Sequence, residues 1–394
     1  MSASDVKNVV RVLYSFPQRL GAGRVCWTAW QQVIGLHSAG AKVTAIVGSA
    51  QRIPPQDVRL KTTLAFGRLR IPFRFLGVRR MSLLHDWITA RWLRANGKEF
   101  DIVHVWPSSG LRTIRAAKKL GIPVVLERPN THTEFAYRVV EEECDIIDFK
   151  LPEGYEHKFD PVVLAHEETE FDEGDYLLCP SEFVAKTFID KGTSPSKLLN
   201  HQYGYDQSAI WPGNQNGQTG NGLVMIYVGL CTPRKGLHYT LQAWLASEAS
   251  KTGRLMICGD FVPGYREKLG KLLDHPSIEV LGHRSDIPDL MRQSDLFVLS
   301  SAEEGSALVT YEARGSGCVL LVSDASGAVC KHRENGMVHR SRDVAALTEH
   351  MNLLNSDRQL LCDLRTASIK DLEKITWKAA GIRLLELYHQ VIHR

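Results

Sequence analysis

The stretch that most constrains this chain is AEEGSALVTYEARGSG, residues 302–317, set between the apolar runs Leu296 to Leu299 and Cys318 to Val322. Each run is short enough to be a strand buried in a parallel sheet, so the order reads strand, glycine-marked turn, helix, strand. Gly305 lets the backbone come close to a ligand, and Ser306 is expected to cap a helix from about Ala307 to Gly315. Free amides and the positive dipole end of such a helix attract a phosphate without a metal. Glu304 stands before the helix and Glu312 two turns inside it. One carboxylate can then meet the sugar end of a bound nucleotide and the other its ribose; a solvated or capping pair is the alternative.

At 394 residues the chain is too long for one ordinary core and suits two domains. Its 44% apolar and 23% charged content fits a soluble globular enzyme. A net charge of +4, without an arginine-rich helix or an aromatic-basic code, gives no ground for a nucleic-acid partner. The eight cysteines lack a CxxC pair or zinc spacing and read as reduced and mostly buried, which points to the cytoplasm. The opening MSASDVKNVV has no basic-then-apolar signal pattern, and no run of 18 apolar residues occurs, so neither secretion nor a membrane span is expected.

Charge is unevenly placed. Residues 52–80 carry Arg52, Arg59, Lys61, Arg68, Arg70, Arg74, Arg79 and Arg80 against the single acid Asp57, interleaved with apolar side chains. Residues 134–175 are acidic and contain His157 and the HEETE segment that begins at His166; HEETE lacks the second histidine of HExxH, and the stretch reads as a solvated helix pair.

Residues 8–15 form a strand leading into the loop Gly21-Ala22-Gly23 and a helix from about Arg24 to His37. Cys26 replaces the last glycine of a GxGxxG pattern, and no carboxylate follows at the distance that would hold a dinucleotide ribose. Further apolar runs at 43–47, 102–106 and 124–126 alternate with helical spacing such as LRTIRAAKKL at 111–120, the signature of parallel strands with right-handed crossovers. The polar cluster Glu127 to Thr133 follows a strand's carboxyl end, where ligands bind in such sheets. His104, inside a strand, reads as core. Gly-, Asn- and Gln-rich residues 207–222 read as a linker, after which strands at 223–229, 255–259 and 277–283 resume the alternation.

The Glu304 and Glu312 pair, with seven residues between them, resembles the signature of the retaining glycosyltransferases of family 4, the group 1 glycosyltransferases. The resemblance implies a GT-B fold: an α/β chain of two Rossmann-like, doubly wound parallel-sheet domains facing a cleft. The expected division is an acceptor-side domain at 1–206, a linker at 207–222, a nucleotide-sugar domain at 223–374, and a helix at 375–394 that packs back on the first domain. His201 to Asp206 resembles the family's interdomain motif.

By the same resemblance, Glu304 touches donor sugar hydroxyls, Glu312 the ribose, and Lys235 the donor diphosphate. Leu230 occupies the family's usual arginine position, which leaves Arg234 as the substitute. Gly282, His283 and Arg284 resemble the base-binding turn, and Gly305, Ser306, Ala307 and Leu308 complete the donor set. Gly21, Ala22 and Gly23 are assigned to the pyrophosphate and acceptor loop, with a plain turn as the alternative. His132 is assigned to the acceptor side and, with Glu304 and Lys235, to catalysis.

The implied activity is retaining transfer of a sugar, of the hexosyltransferase type, from a nucleotide-diphosphate sugar to a glycan or lipid-linked acceptor. The chain holds no DxD sequence, and no metal or other cofactor is expected. The basic stretch at 52–80 suggests peripheral contact with anionic lipid at the inner face of a membrane. A nucleotide-sugar epimerase of the same fold, which would convert the donor sugar without an acceptor, and a non-catalytic sugar-nucleotide-binding subunit are the alternatives.

Overall fold

The computed structural model describes residues 9–66, 69–70, 73–155, 157–213 and 222–394. The first sheet contains β1 (Arg11–Leu20), β2 (Lys42–Ala50), β3 (Arg59–Thr62), β4 (Ile102–Val105), β5 (Val124–Glu127), β6 (Tyr176–Cys179) and β7 (Leu198–Asn200). These strands are all parallel and lie in the order β3-β2-β1-β4-β5-β6-β7. The second sheet contains β8 (Val224–Val228), β9 (Arg254–Cys258), β10 (Ile278–Gly282), β11 (Leu296–Leu299), β12 (Val319–Ser323) and β13 (Gly336–His339), in the order β10-β9-β8-β11-β12-β13, again parallel.

Strands such as VLLVS in β12 and IVHV in β4 are buried at every residue because helices cover both faces of each sheet. That explains why they read as unbroken apolar runs. Both sheets reverse direction of winding beside their first strand, between β1 and β4 and between β8 and β11. At such a reversal the loops leave in opposite directions and open a crevice at the strands' carboxyl ends. The doubly wound pair of domains inferred from the sequence is therefore the observed architecture.

Several local expectations change. The helix after Glu304 spans Leu308–Gly315, and its cap position is Ala307, without a side-chain cap. Ser306 instead bonds the Tyr311 hydroxyl at 2.9 Å and the Gly327 carbonyl at 3.0 Å. The acidic segment forms helices Thr133–Ile146 and Pro161–Glu173, and the second is not simply solvated, since Glu167 and Glu170 are buried. Glu170 accepts from the backbone N–H groups of Ser108 and Gly110, both at 2.7 Å, and so fixes the loop after β4. Residues 67–68 and 71–72 of the basic stretch and 214–221 of the expected linker lie outside the described residues. All eight cysteines are unpaired, six of them buried.

The last helix, Trp377–Ile392, returns to the first domain and lies against helix Val25–Ser38. Gly35 and Gly381 make this close approach. A Cβ built on Gly381 would stand 2.5 Å from the Gly35 backbone, which has no side chain to move aside. Gly381→Val is expected to lower stability by about 1–3 kcal/mol through overpacking. Urea denaturation measures the loss, and amide exchange should rise first within 377–392.

Candidate active site

The loops at the two winding reversals face each other across one cavity of about 830 Å³. The first domain contributes Gly23 and Arg24 after β1, Pro107 and Ser108 after β4, and Arg128 to Thr131 after β5. From the second come Gly229, Arg234 and Lys235 after β8, then Glu304, Ser306 and Ala307 after β11. Leu308, Val309 and Glu312 of the following helix also line it.

The floor of this cavity is a cluster of two cations and two carboxylates. The Arg234 Nη1 donates to Glu303 Oε2 at 2.8 Å and to the Glu303 carbonyl at 2.9 Å, and lies 3.5 Å from Glu304 Oε2. Lys235 Nζ donates to Glu304 Oε1. Glu303 is wholly buried, and its other oxygen accepts from the Thr131 hydroxyl at 2.6 Å, across the domain boundary. Burial alone would raise both glutamate pKa values. Arg234 and the hydrogen bonds to each carboxylate, together with Lys235 at Glu304 and His157 at Glu303, jointly outweigh it and hold both below the ordinary carboxylate range. The same pairing raises the pKa of Arg234 against its burial.

Gly305 sits where the two domains touch. A Cβ there would fall 1.7 Å from the Pro129 carbonyl oxygen, and the Ser181 hydroxyl donates to the Gly305 carbonyl at 2.6 Å. Only a glycine fits at this approach. The uncapped first turn of helix Leu308–Gly315 opens onto the cavity beside Lys235, giving an anion both a cation and free amides. Glu312 stands further along the same wall, and burial raises its carboxyl pKa.

The sequence-derived residues divide accordingly. Glu304, Ser306, Ala307, Leu308, Glu312, Arg234, Lys235 and Gly23 line the cavity, and Gly305 adjoins it; Gly21 and Ala22 do not line it. Gly282 borders a separate hollow of about 420 Å³, while His283 and Arg284 are exposed and Arg284 pairs with Asp286 at 2.6 Å.

His132 is also absent from the wall. It is 5% exposed, caps helix Thr133–Ile146 by accepting from the Glu134 N–H, and packs edge-on against Phe171 and Phe188. Among the described residues, His132, Glu134 and Glu168 hold ligand-type atoms within 4.8 Å of one another, but none of the three lines the cavity and Lys191 already pairs with Glu134.

Sequence reasoning gave no individual role to Glu303, Arg24, Arg128, Ser108, His157 or Glu167. The doublet Glu303-Glu304 was the available signal for the first. Arg128 is buried, donates to the Thr131 carbonyl at 2.8 Å and lies 3.4 Å from Glu167, which places the HEETE segment in the cavity wall.

Two family models match separate parts of the chain. One, described as Glycosyltransferase Family 4, matches residues 27–199, and the other, Glycosyl transferases group 1, matches 222–357. The chain belongs to the family 4, group 1 glycosyltransferases. Over 124 residues this family 4 chain is 31% identical to an N,N'-diacetylbacillosaminyl-diphospho-undecaprenol α-1,3-N-acetylgalactosaminyltransferase of Campylobacter jejuni. That match covers 31% of the chain and 33% of the relative, so it spans about a third of the relative's length.

A UDP-Gal:α-D-GlcNAc-diphosphoundecaprenol α-1,3-galactosyltransferase of Escherichia coli is 24% identical over 302 residues, covering 72% of the chain and 74% of the relative. Among solved structures, HepE of Anabaena in complex with UDP and glucose superposes with a TM-score of 0.64 at 16% identity, covering 97% of the family 4 chain and 100% of its own. Sucrose-phosphate synthase of Thermosynechococcus elongatus gives 0.69 at 15%, covering 98% and 99%. These likenesses show the GT-B fold.

Two outcomes follow for the family 4 chain. Glu303→Ala would strand Arg234 and is expected to destabilise by about 3 kcal/mol, with Glu303→Gln in between; denaturant titration measures both. Burial, with Arg128 and Lys191 nearby, lowers the His132 pKa from 6.5 to about 4. The unfolded chain therefore takes up a proton first, so stability present above pH 6.5 is lost as pH falls toward 4. His132→Asn, which can still cap the helix, should flatten this limb in melting curves.

Proposed function

We propose that this chain transfers a hexose or N-acetylhexosamine, with retention, from a nucleotide-diphosphate sugar to a sugar carried on a polyprenyl diphosphate. The observation that carries the reading is the cavity between the two winding reversals, where Lys235 and Glu304 meet beside an uncapped helix start. The acceptor class is supported by the Campylobacter and Escherichia relatives and by a Xanthomonas oryzae relative named GDP-mannose:cellobiosyl-diphosphopolyprenol α-mannosyltransferase, 28% identical over 210 residues. All three names carry a diphosphopolyprenol acceptor.

In this reading the donor diphosphate takes over Lys235 from Glu304. The exchange frees the Glu304 carboxylate to accept from hydroxyls of the transferred sugar, while Glu312 holds the ribose. As the bond from C1 to the phosphate oxygen breaks, negative charge grows on the leaving diphosphate and is met by Lys235 and the amides at Leu308 and Val309. The acceptor hydroxyl attacks C1 from the same face and gives its proton to the departing phosphate oxygen. The cations and amides here suffice for the leaving charge, so no metal is assigned to the step. Because His132 lies outside the cavity, the acceptor sugar is assigned instead to polar first-domain side chains that line it, His157 and Asn130 among them.

Peripheral contact with an anionic membrane belongs to the same proposal. No helix among the described residues is long and apolar enough to cross a membrane, and Arg52, Arg79 and Arg80 are exposed beside Ile53 and Val78.

Incubation with labelled nucleotide sugars and a GlcNAc-diphosphopolyprenol acceptor, followed by butanol extraction, tests the activity. Label should enter the lipid phase, with or without EDTA. Lys235→Ala should lower kcat/KM by about 10²–10³-fold, the loss typical of one donor to a developing oxyanion. Label that stays on the nucleotide, with or without isomerised sugar, would refute the transfer.

A further inference from the structure

The cavity holds four arginine and lysine side chains, and three of them are committed. Arg128 is held by the Thr131 carbonyl and Glu167, Arg234 by Glu303, and Lys235 by Glu304. Arg24, by contrast, is exposed and has no side-chain hydrogen bond or ion pair among the described residues. It belongs to the first domain, where the loop leaves β1, whereas the leaving-phosphate contacts proposed above lie in the second.

Its backbone is also unusual. Arg24 has φ 59° and ψ −137°, a conformation that glycine adopts freely and an L side chain adopts only under strain. The neighbouring loop already contains Gly21 and Gly23, yet the strained position carries a guanidinium. Among the described residues no hydrogen bond or ion pair of that guanidinium offsets the strain.

The surroundings are amphipathic. Arg52 stacks over the Trp27 ring at 4.8 Å, and Trp27 lines the same cavity. Val25 and Val78 line it too and are 37% and 60% exposed, and Ile53, next to Arg52, is 87% exposed. Arg24, unpaired among the described residues, and a ring-stacked Arg52 near exposed aliphatic side chains, at the mouth of a polar cavity, match a ligand with a charged centre and a hydrocarbon arm.

We propose that Arg24, with Arg52 over the Trp27 ring of the same cavity, grips the diphosphate of the lipid-linked acceptor while Val25, Ile53 and Val78 meet its first isoprene units. This assignment rests on the polyprenyl-diphosphate acceptor proposed above. It adds a second diphosphate site to the cleft, on the opposite wall from the donor's, and orients the acceptor with its sugar inward and its chain toward the lipid.

Titration of the full chain with farnesyl diphosphate, inorganic pyrophosphate and farnesol tests it. Farnesyl diphosphate should bind the unaltered protein, and Arg24→Ala and Arg24→Gly should weaken it about tenfold or more, the effect of losing a charge-assisted contact. Arg24→Lys should recover part of the loss. Since glycine relieves the strain, Arg24→Gly should melt no lower than the unaltered protein, so weaker binding there cannot come from misfolding. Inorganic pyrophosphate should depend on Lys235 and ignore Arg24→Gly, and farnesol should bind weakest.

Farnesyl diphosphate binding that survives both Arg24 variants, or that Lys235→Ala abolishes instead, would overturn the Arg24 assignment and leave the acceptor class standing. No binding of farnesyl diphosphate by the unaltered protein would remove the acceptor class, and Arg24's role with it.

Discussion

The cleft depends on one buried carboxylate. Glu303 faces Arg234 of its own domain with one oxygen and Thr131 of the other domain with its second. A buried charge of this kind is tolerated only when fully partnered, because desolvation of a lone carboxylate outweighs most of what packing returns. Its partners therefore have to stay in place, and they are the loops after β5 and β8. The carboxylate thereby sets the distance between the two walls and the direction in which Arg234 points. Glu304, one residue on, inherits that geometry and meets Lys235 at the cavity floor.

The same arithmetic of charge separates structural cations from available ones. Arg128 and Arg234 are buried and hydrogen-bonded in directions that maintain the loops, so they shape the cavity more than they offer it a charge. Lys235 has a more compact head on a flexible stem, and its ion-pair partner among the described residues is a carboxylate with which a phosphate can compete. Arg234 and Lys235 keep Glu303 and Glu304 ionised at depressed pKa values, whereas burial raises the Glu312 carboxyl on the same wall.

Much of the fold was legible because parallel strands buried on both faces leave unbroken apolar runs, and Leu296 to Leu299 and Val319 to Val322 are such strands in the structure. The glutamate stretch was legible for a related reason: Glu304 and Gly305 fall at a strand-to-helix turn, and Glu312 follows inside the helix. What escaped was the direction of side chains, which depends on partners distant in sequence. Ser306 looked like a cap, but Tyr311 and Gly327 compete for its hydroxyl. His132 stood in the right loop, yet the aromatic pocket of Phe171 and Phe188 draws its ring inward. Glu167 and Glu170 read as solvated because charge runs usually are, and nothing local reveals that they hold the loop after β4.

The polypeptide passes between its two halves twice, once after β7 and once ahead of the final helix. At Tyr205 and Thr376 these passages run side by side, joined by a bond from the Tyr205 N–H to the Ile375 carbonyl and one from the Trp377 N–H to the Tyr205 carbonyl. Two adjacent tethers act as a door's hinge does: they oppose twisting and sliding and leave a single easy swing. Any parting of the halves is thereby confined to the mouth, where it has to break the Thr131–Glu303 and Ser181–Gly305 bonds, while the Tyr203, Tyr205 and Trp377 end stays shut.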